Sequence, residues 1–453
     1  MTGVGVSDAD FARLRAVLAG EVLEPGTPGY EAARRPAMPR FWDIRPRAVV
    51  RAASAEDVAH TLTFAATSGL PVVPRGGGHC FAGRSSTDGI VLDLTPLRQV
   101  RVAADGAAVI GAGARLAEVY DGLDEHGLTL PAGCGPDVGI AGLTLGGGLG
   151  LLGRSYGLTC DRLRAAQVVL TDGRVVSCDE HREPELFWAL RGAGGGQFGV
   201  VTSLVFAPVP APEATRFELI WPAAAAPAVT AAWQRWAPDA PDELNASLTI
   251  TAEPDGQPGE VIVFGAMLAG RPATAALLAD LIAEAGAPPG PHNLATMPFR
   301  DLKRSLDTLG SAAAAPLQPE ISKSEFFRRP FPPSAIAELL DTFTTDRPPG
   351  LRRALNFTPM GGAYNRVPED ATAFAHRHES FLLEHVTAVS DAGWARRSWA
   401  IAHPYGSGRV YPNFPDPDLP DPAAAYHGPN HARLVRAKHR YDPLGLLRFP
   451  QSL

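Results

Sequence analysis

Leu70-Pro71-Val72-Val73-Pro74-Arg75-Gly76-Gly77-Gly78-His79 runs from an apolar segment into three glycines and a histidine. A second glycine run follows at Gly139-Ile140-Ala141-Gly142-Leu143-Thr144-Leu145-Gly146-Gly147-Gly148-Leu149-Gly150. Glycine has no Cβ, so successive backbone N–H groups can converge on an anion as a nest. The expected tenant is a phosphate-bearing cofactor pressed against bare backbone.

One reading of the second run fails on context. Gly148-Leu149-Gly150-Leu151-Leu152-Gly153 fits the spacing G-x-G-x-x-G, and Asp172 follows at a distance suited to a ribose. The residues before it are glycines instead of a strand, and Thr171-Asp172-Gly173 reads as a hairpin turn. A nicotinamide-type Rossmann unit is therefore not expected.

Outward from these runs, the chain alternates short β-type segments with helical signals. Ala48-Val49-Val50-Arg51, Ile90-Val91-Leu92-Asp93-Leu94 and Ala108-Val109-Ile110 read as strands. Ser54 before Ala55-Glu56-Asp57 reads as the cap of a helix running to about Ala66. After Pro208 to Pro212 the texture changes to Ala-rich helices near 225–237 and 272–286. Strands such as Ala246-Ser247-Leu248-Thr249-Ile250 and Val261-Ile262-Val263-Phe264 lie among them. A basic helical segment is expected from His431 to Tyr441, and Ala312 to Ala315 is a short low-complexity piece read as helix or loop. The expectation is an α+β protein in three parts: residues 1–208 with a core of about 42–208, a substrate domain at 209–405 with an antiparallel sheet flanked by helices, and a returning segment at 406–453.

The 453 residues, 45% apolar and 20% charged, have the balance of a folded globular protein. A net charge of −7 offers no basic footprint for nucleic acid. No apolar run reaches the roughly 18 residues of a membrane span, and no signal-peptide core is visible near Met1, so a cytoplasmic location is expected. Cys80, Cys134, Cys160 and Cys178 form no C-x-x-C pair, so neither a metal site nor a disulfide scaffold is expected.

Together, Pro74 to His79 with Gly83, the run from Val138 through Gly139, Gly142, Gly146, Gly147 and Gly148 to Gly150, and Leu186-Phe187-Trp188 through Phe198-Gly199-Val200-Val201 resemble the berberine bridge enzyme-like FAD-linked oxidases of the vanillyl-alcohol oxidase group. Tyr411-Pro412-Asn413-Phe414 and Tyr441-Asp442-Pro443 extend the likeness to the C-terminal segment. The resemblance implies a PCMH-type domain of two α+β subdomains holding FAD, with His79 bonded to the flavin. It assigns cofactor contacts to Arg75, Gly76, Gly77, Gly78, Gly83, Val138, Gly139, Gly142, Gly146, Gly147, Gly148, Gly199, Val200, Val201 and Asn413. A second attachment through cysteine, present in some members, is not expected. Gly135 stands at that position, and Cys134, one residue early, would point the other way along an extended segment. Val138 matches a position associated with dioxygen access.

The implied activity is an oxidase that moves a hydride from a small alcohol, amine or phenolic secondary metabolite to the flavin, with O2 as acceptor. A flavin dehydrogenase with another acceptor and a flavin-retaining binding protein are the alternatives. Tyr411 is the first candidate base and Tyr364 the second. An unperturbed phenol, pKa about 10, needs help from a cation such as Arg409. Lys323, Ser324, Glu325 and His403 are reserve polar groups, and His376 is read as structural.

Overall fold

The computed structural model describes residues 7–252, 259–290, 292–311 and 320–453. The Ala312 to Ala315 segment lies outside them. The helix Ala55–Ser68 begins where Ser54 accepts a hydrogen bond from the Asp57 N–H at 3.2 Å, and it ends at Gly69 in the left-handed conformation, φ +66°. Val58, Leu62 and Ala65 fall on one face and are buried, the spacing an amphipathic helix requires.

This helix belongs to the first of two small sheets. Ile90–Asp93 lies parallel between Ala48–Arg51 and Val72–Arg75, with Glu21–Leu23 antiparallel at the edge. The second sheet is antiparallel, in the order Val100–Val102, Ala108–Gly111, Val200–Phe206, Leu163–Val169, Val175–Asp179. Thr171 to Gly173 turns between the last two of these strands in the sequence, with Gly173 at φ +86°. The G-x-G-x-x-G spacing therefore does not sit in a Rossmann unit. One apolar core serves both sheets.

Residues after Pro212 build a seven-stranded antiparallel sheet, ordered His292–Pro298, Glu213–Pro222, Glu260–Met267, Leu244–Ala252, Arg353–Pro359, Phe381–Ala388, Glu320–Phe327. Helices Ala226–Asp239, Arg271–Ala285, Pro333–Thr344 and Ala392–Ala402 cover one face, burying Trp233, Leu281, Leu339 and Trp394 against Leu248, Val263, Leu355 and Leu383. Successive residues of a strand point to opposite faces. Asn245, Ser247, Thr358 and Glu384 consequently turn away from the helices, toward the first domain. The helix His431–Tyr441 returns to that first domain, where Arg433 stacks 3.9 Å over the Trp188 ring and pairs with Glu185 at 2.7 Å.

Candidate active site

Between the glycine-rich domain and the bare face of the large sheet lies a cavity of about 680 Å³. Its first wall is backbone. A Cβ on Gly77 would meet the Gly139 nitrogen at 2.3 Å, so the two glycine runs cross in direct contact. Gly78 and Gly196 hold φ of +72° and +74°, values that favour glycine. A Cβ on Gly142 would meet nothing within 4 Å, which leaves that position open to the cavity.

Eleven of the residues expected at the site line the cavity: Gly76, Gly77, Gly78, His79, Val138, Gly139, Gly142, Gly199, Val201, Tyr411 and Asn413. The other seven do not. The Arg75 guanidinium donates to the carbonyls of Ala33, Arg34 and Ser85, and burial lowers its pKa to about 10, so it stitches backbone together. Gly83 packs on the Phe41 ring. Gly146 sits against Asn413, Gly147 against Phe374 and Gly148 against Thr159, each closer than a Cβ would allow. Val200 pairs with Val169 in the sheet. Tyr364 is fully buried outside the lining: its hydroxyl donates to the Gly150 carbonyl at 2.8 Å and accepts from the Gly150 N–H at 3.1 Å.

His79 projects into the cavity. Its Nδ1 lies 2.9 Å from the Gly77 carbonyl, which can only accept, so Nδ1 carries the hydrogen and Nε2 keeps the lone pair in this rotamer. Burial lowers the imidazole pKa against the opposing Gly77 bond and Asp137 charge, which favours the neutral, nucleophilic form.

Tyr411 Oη accepts hydrogen bonds from the N–H groups of Gly148 and Leu149, at 3.0 and 3.1 Å, and from Asn413 Nδ2 at 3.0 Å. Burial raises its pKa, against the lowering effect of those donors. Arg409 does not assist: residues 409–411 are not a strand, and its guanidinium donates to the Ala424 carbonyl. The reserve groups Lys323, Glu325 and His403 are spent elsewhere, Lys323 on Asp416 and Glu325 on His403 and the Gly408 N–H. His376 is buried between the Phe326 and Phe374 rings.

The opposite wall holds what the sequence did not single out. Glu384 faces the cavity from the strand Phe381–Ala388; its carboxylate accepts from Ser322 Oγ at 2.6 Å and from Asn356 Nδ2 at 3.2 Å. Asn356 in turn accepts from Thr249 Oγ1 at 3.1 Å. Burial raises the Glu384 pKa above the ordinary carboxylate value, against those two donors. The only signal in the sequence was alternation: Glu384 stands at an even position between Leu383 and His385, whose side chains face the helices. Cys134 also lines the cavity, and residues 133–138 form a bend and a turn instead of an extended run. The argument from alternating side-chain direction therefore does not apply to Cys134.

Known proteins agree with this arrangement. The model of the FAD binding domain matches residues 46–179, and the model described as berberine and berberine like matches residues 410–453. The FAD-linked oxidoreductase YgaK of Bacillus subtilis is 32% identical over 96% of this chain and 97% of its own. The structure of BBE-like 1 from Physcomitrella patens is 27% identical with a TM-score of 0.88, covering 97% of this chain and 98% of that one. Glucooligosaccharide oxidase from Acremonium strictum, described with 6-S-cysteinyl, 8α-N1-histidyl FAD, is 25% identical with a TM-score of 0.87, covering 98% of each chain. The crossed glycine runs, the opening at Gly142 and the neutral His79 fit a flavin dinucleotide, because they present a wall without side chains and one nucleophilic nitrogen. With its FAD-binding domain, its large antiparallel sheet and its returning C-terminal segment, the chain belongs to the berberine bridge enzyme-like FAD-linked oxidoreductases.

Proposed function

We propose that this oxidoreductase is an oxidase whose FAD is bonded to His79, and that it dehydrogenates a small alcohol, amine or phenolic substrate with O2 as the final acceptor. The observation that carries the reading is Glu384, a carboxylate held by Ser322 and Asn356 and facing the glycine wall across one cavity. When bound, the flavin supplies the hydride acceptor.

The residues of the chain do the rest. The substrate O–H or N–H donates to Glu384, which takes the proton as the hydride leaves the adjacent carbon. Burial raises the Glu384 pKa, which makes its carboxylate a stronger base than an ordinary one. The Tyr411 phenol, raised above its ordinary value by burial, stays protonated near neutral pH. The base therefore moves from Tyr411 to Glu384. Tyr411 and Asn413 hold the Gly148–Leu149 backbone and close the end of the cavity. Val138 lines the same cavity and supports dioxygen access. Attachment at His79 is supported by the imidazole's place in the cavity lining, and its being single by Gly135 where some members carry cysteine.

Glu384→Gln keeps shape and hydrogen bonding and removes the base. Anaerobic flavin reduction is expected to slow by about 10²–10⁴-fold with flavin content unchanged. A loss below about threefold would return the base to Tyr411. In the wild type the rate should fall as acid protonates Glu384. Flavin should stay with acid-precipitated wild type and with Cys134→Ala, and leave His79→Ala. Peroxide formed under air in step with substrate turnover identifies the oxidase, and its absence identifies a dehydrogenase.

A further inference from the structure

The chain has only three lysines, Lys303, Lys323 and Lys438, and relies on arginine for its other fixed cations. All three are buried, at 4%, 4% and 6% exposure. A buried ammonium is expensive unless a counter-charge is near. Lys323 has Asp416 at 2.5 Å, and Lys438 has Asp442 at 2.7 Å. Among the described residues Lys303 has no carboxylate partner.

Lys303 reaches from the helix Phe299–Ser311 of the large-sheet domain across to the first domain. There its Nζ donates to the Gly133 carbonyl and lies 4.5 Å from the Tyr120 ring and 5.9 Å from that of Phe299, beside the Cys134 thiol. Carboxylates of the facing helix Leu116–Asp124 are paired with arginines: Arg300 holds Asp124 and Arg304 holds Asp121, both at 2.7 Å, and Arg98 holds Glu118 at 3.3 Å. Burial pulls the Lys303 pKa down, and Cys134 and Tyr120 more than offset it, so the ammonium stays charged. Gly133 and Cys134 both line the cavity. One layer of protein thus separates the Lys303 side chain, which pairs with no carboxylate among the described residues, from the space that fits the flavin.

We propose that Lys303 is the counter-charge for the negative charge that appears in this cavity on cofactor reduction, and that it raises the reduction potential of the bound flavin. The isoalloxazine takes up two electrons and one proton and so gains one net negative charge. A fixed cation nearby favours that state. Lys303 acts through the Gly133–Cys134 layer and is a positioning group for charge, not a catalytic residue. The inference rests on FAD occupying this cavity; it does not depend on the proposed substrate, base or acceptor.

Lys303→Gln keeps a donor for the Gly133 carbonyl and removes the charge, whereas Lys303→Arg keeps the charge. The holoproteins are reduced anaerobically with dithionite in equilibrium with a reference dye, without substrate or oxygen. Lys303→Gln is expected to shift the equilibrium at least tenfold toward oxidised flavin, about 30 mV for two electrons. Lys303→Arg should stay within threefold of wild type. A Gln variant within threefold of wild type, even with reduced thermal stability, would overturn the proposal. Should Lys303→Gln not fold, sulfite addition to the flavin of Lys303→Met, which also deposits negative charge, decides: tenfold weaker binding supports the proposal and equal binding overturns it.

Discussion

The two walls of the cavity recognise their tenants by opposite means. The cofactor wall is backbone, in which Gly77 and Gly139 touch and no side chain intervenes. The facing wall is side chains, among them Asn245, Ser247, Thr358 and Glu384, the last held from behind by Ser322 and Asn356. A backbone wall serves one ligand class, because an added side chain takes the ligand's space or displaces neighbouring backbone. A side-chain wall keeps its fold while its chemistry is exchanged.

That contrast breaks most visibly at Gly77. Gly77→Val must push the Gly139 backbone away, so purified protein is expected to carry no flavin and to fold poorly, as read from the flavin-to-protein absorbance ratio and from circular dichroism. Gly142→Ala tests the same wall more finely. The site has room and lies in the short helix Ile140–Leu145, so the apoprotein should be as stable or gain up to about 1 kcal/mol, while flavin retention falls. Normal flavin content in both variants would show that the cofactor does not press on this backbone.

Acid should act on the other side. His376, His385 and His427, none of them on the glycine wall, have their pKa values lowered by burial, the last two to about 3. Their folded values lie below the unfolded value of about 6.5, so below that pH the unfolded chain binds more protons. The stability they contribute is present above pH about 6.5 and is lost as pH falls, by about 1.4 kcal/mol per pH unit per histidine. Urea unfolding at stepped pH values measures the slope, and a flat profile between pH 6.5 and 5 would contradict this burial. A local effect is expected at Tyr411. Tyr411→Phe leaves three N–H donors without their acceptor, and a stability loss of about 1–3 kcal/mol is expected in the same unfolding assay.

The same contrast explains what was legible in the sequence. Glycine runs announce themselves because the conformations and contacts they permit exclude other residues, and the resemblance built on them singled out His79 and Val138, which both line the cavity. Ser54 marked the start of a helix for a similar local reason. Glu384 was invisible because its role depends on which face of a seven-stranded sheet is left uncovered, a property of strand order and not of neighbours in sequence. Tyr364 and Arg75 misled in the opposite direction: both carry reactive-looking groups in matching motifs, and both spend them on backbone atoms. Lys303 lies in a stretch whose texture alone matched, and only docking of its helix brings it to Gly133.

One feature of the fold also sets a timetable for synthesis. The cavity is lined at once by Gly76 to His79 and by Tyr411 to Phe414, and again by Phe449. A nascent chain emerging from the ribosome with its first domain complete still lacks the floor contributed by those late residues. Lys438, bonded to the carbonyls of Gln197 and Leu447, fastens that floor only once residue 447 has cleared the exit tunnel. The whole wall of the cavity is therefore assembled only after nearly the entire chain has been made.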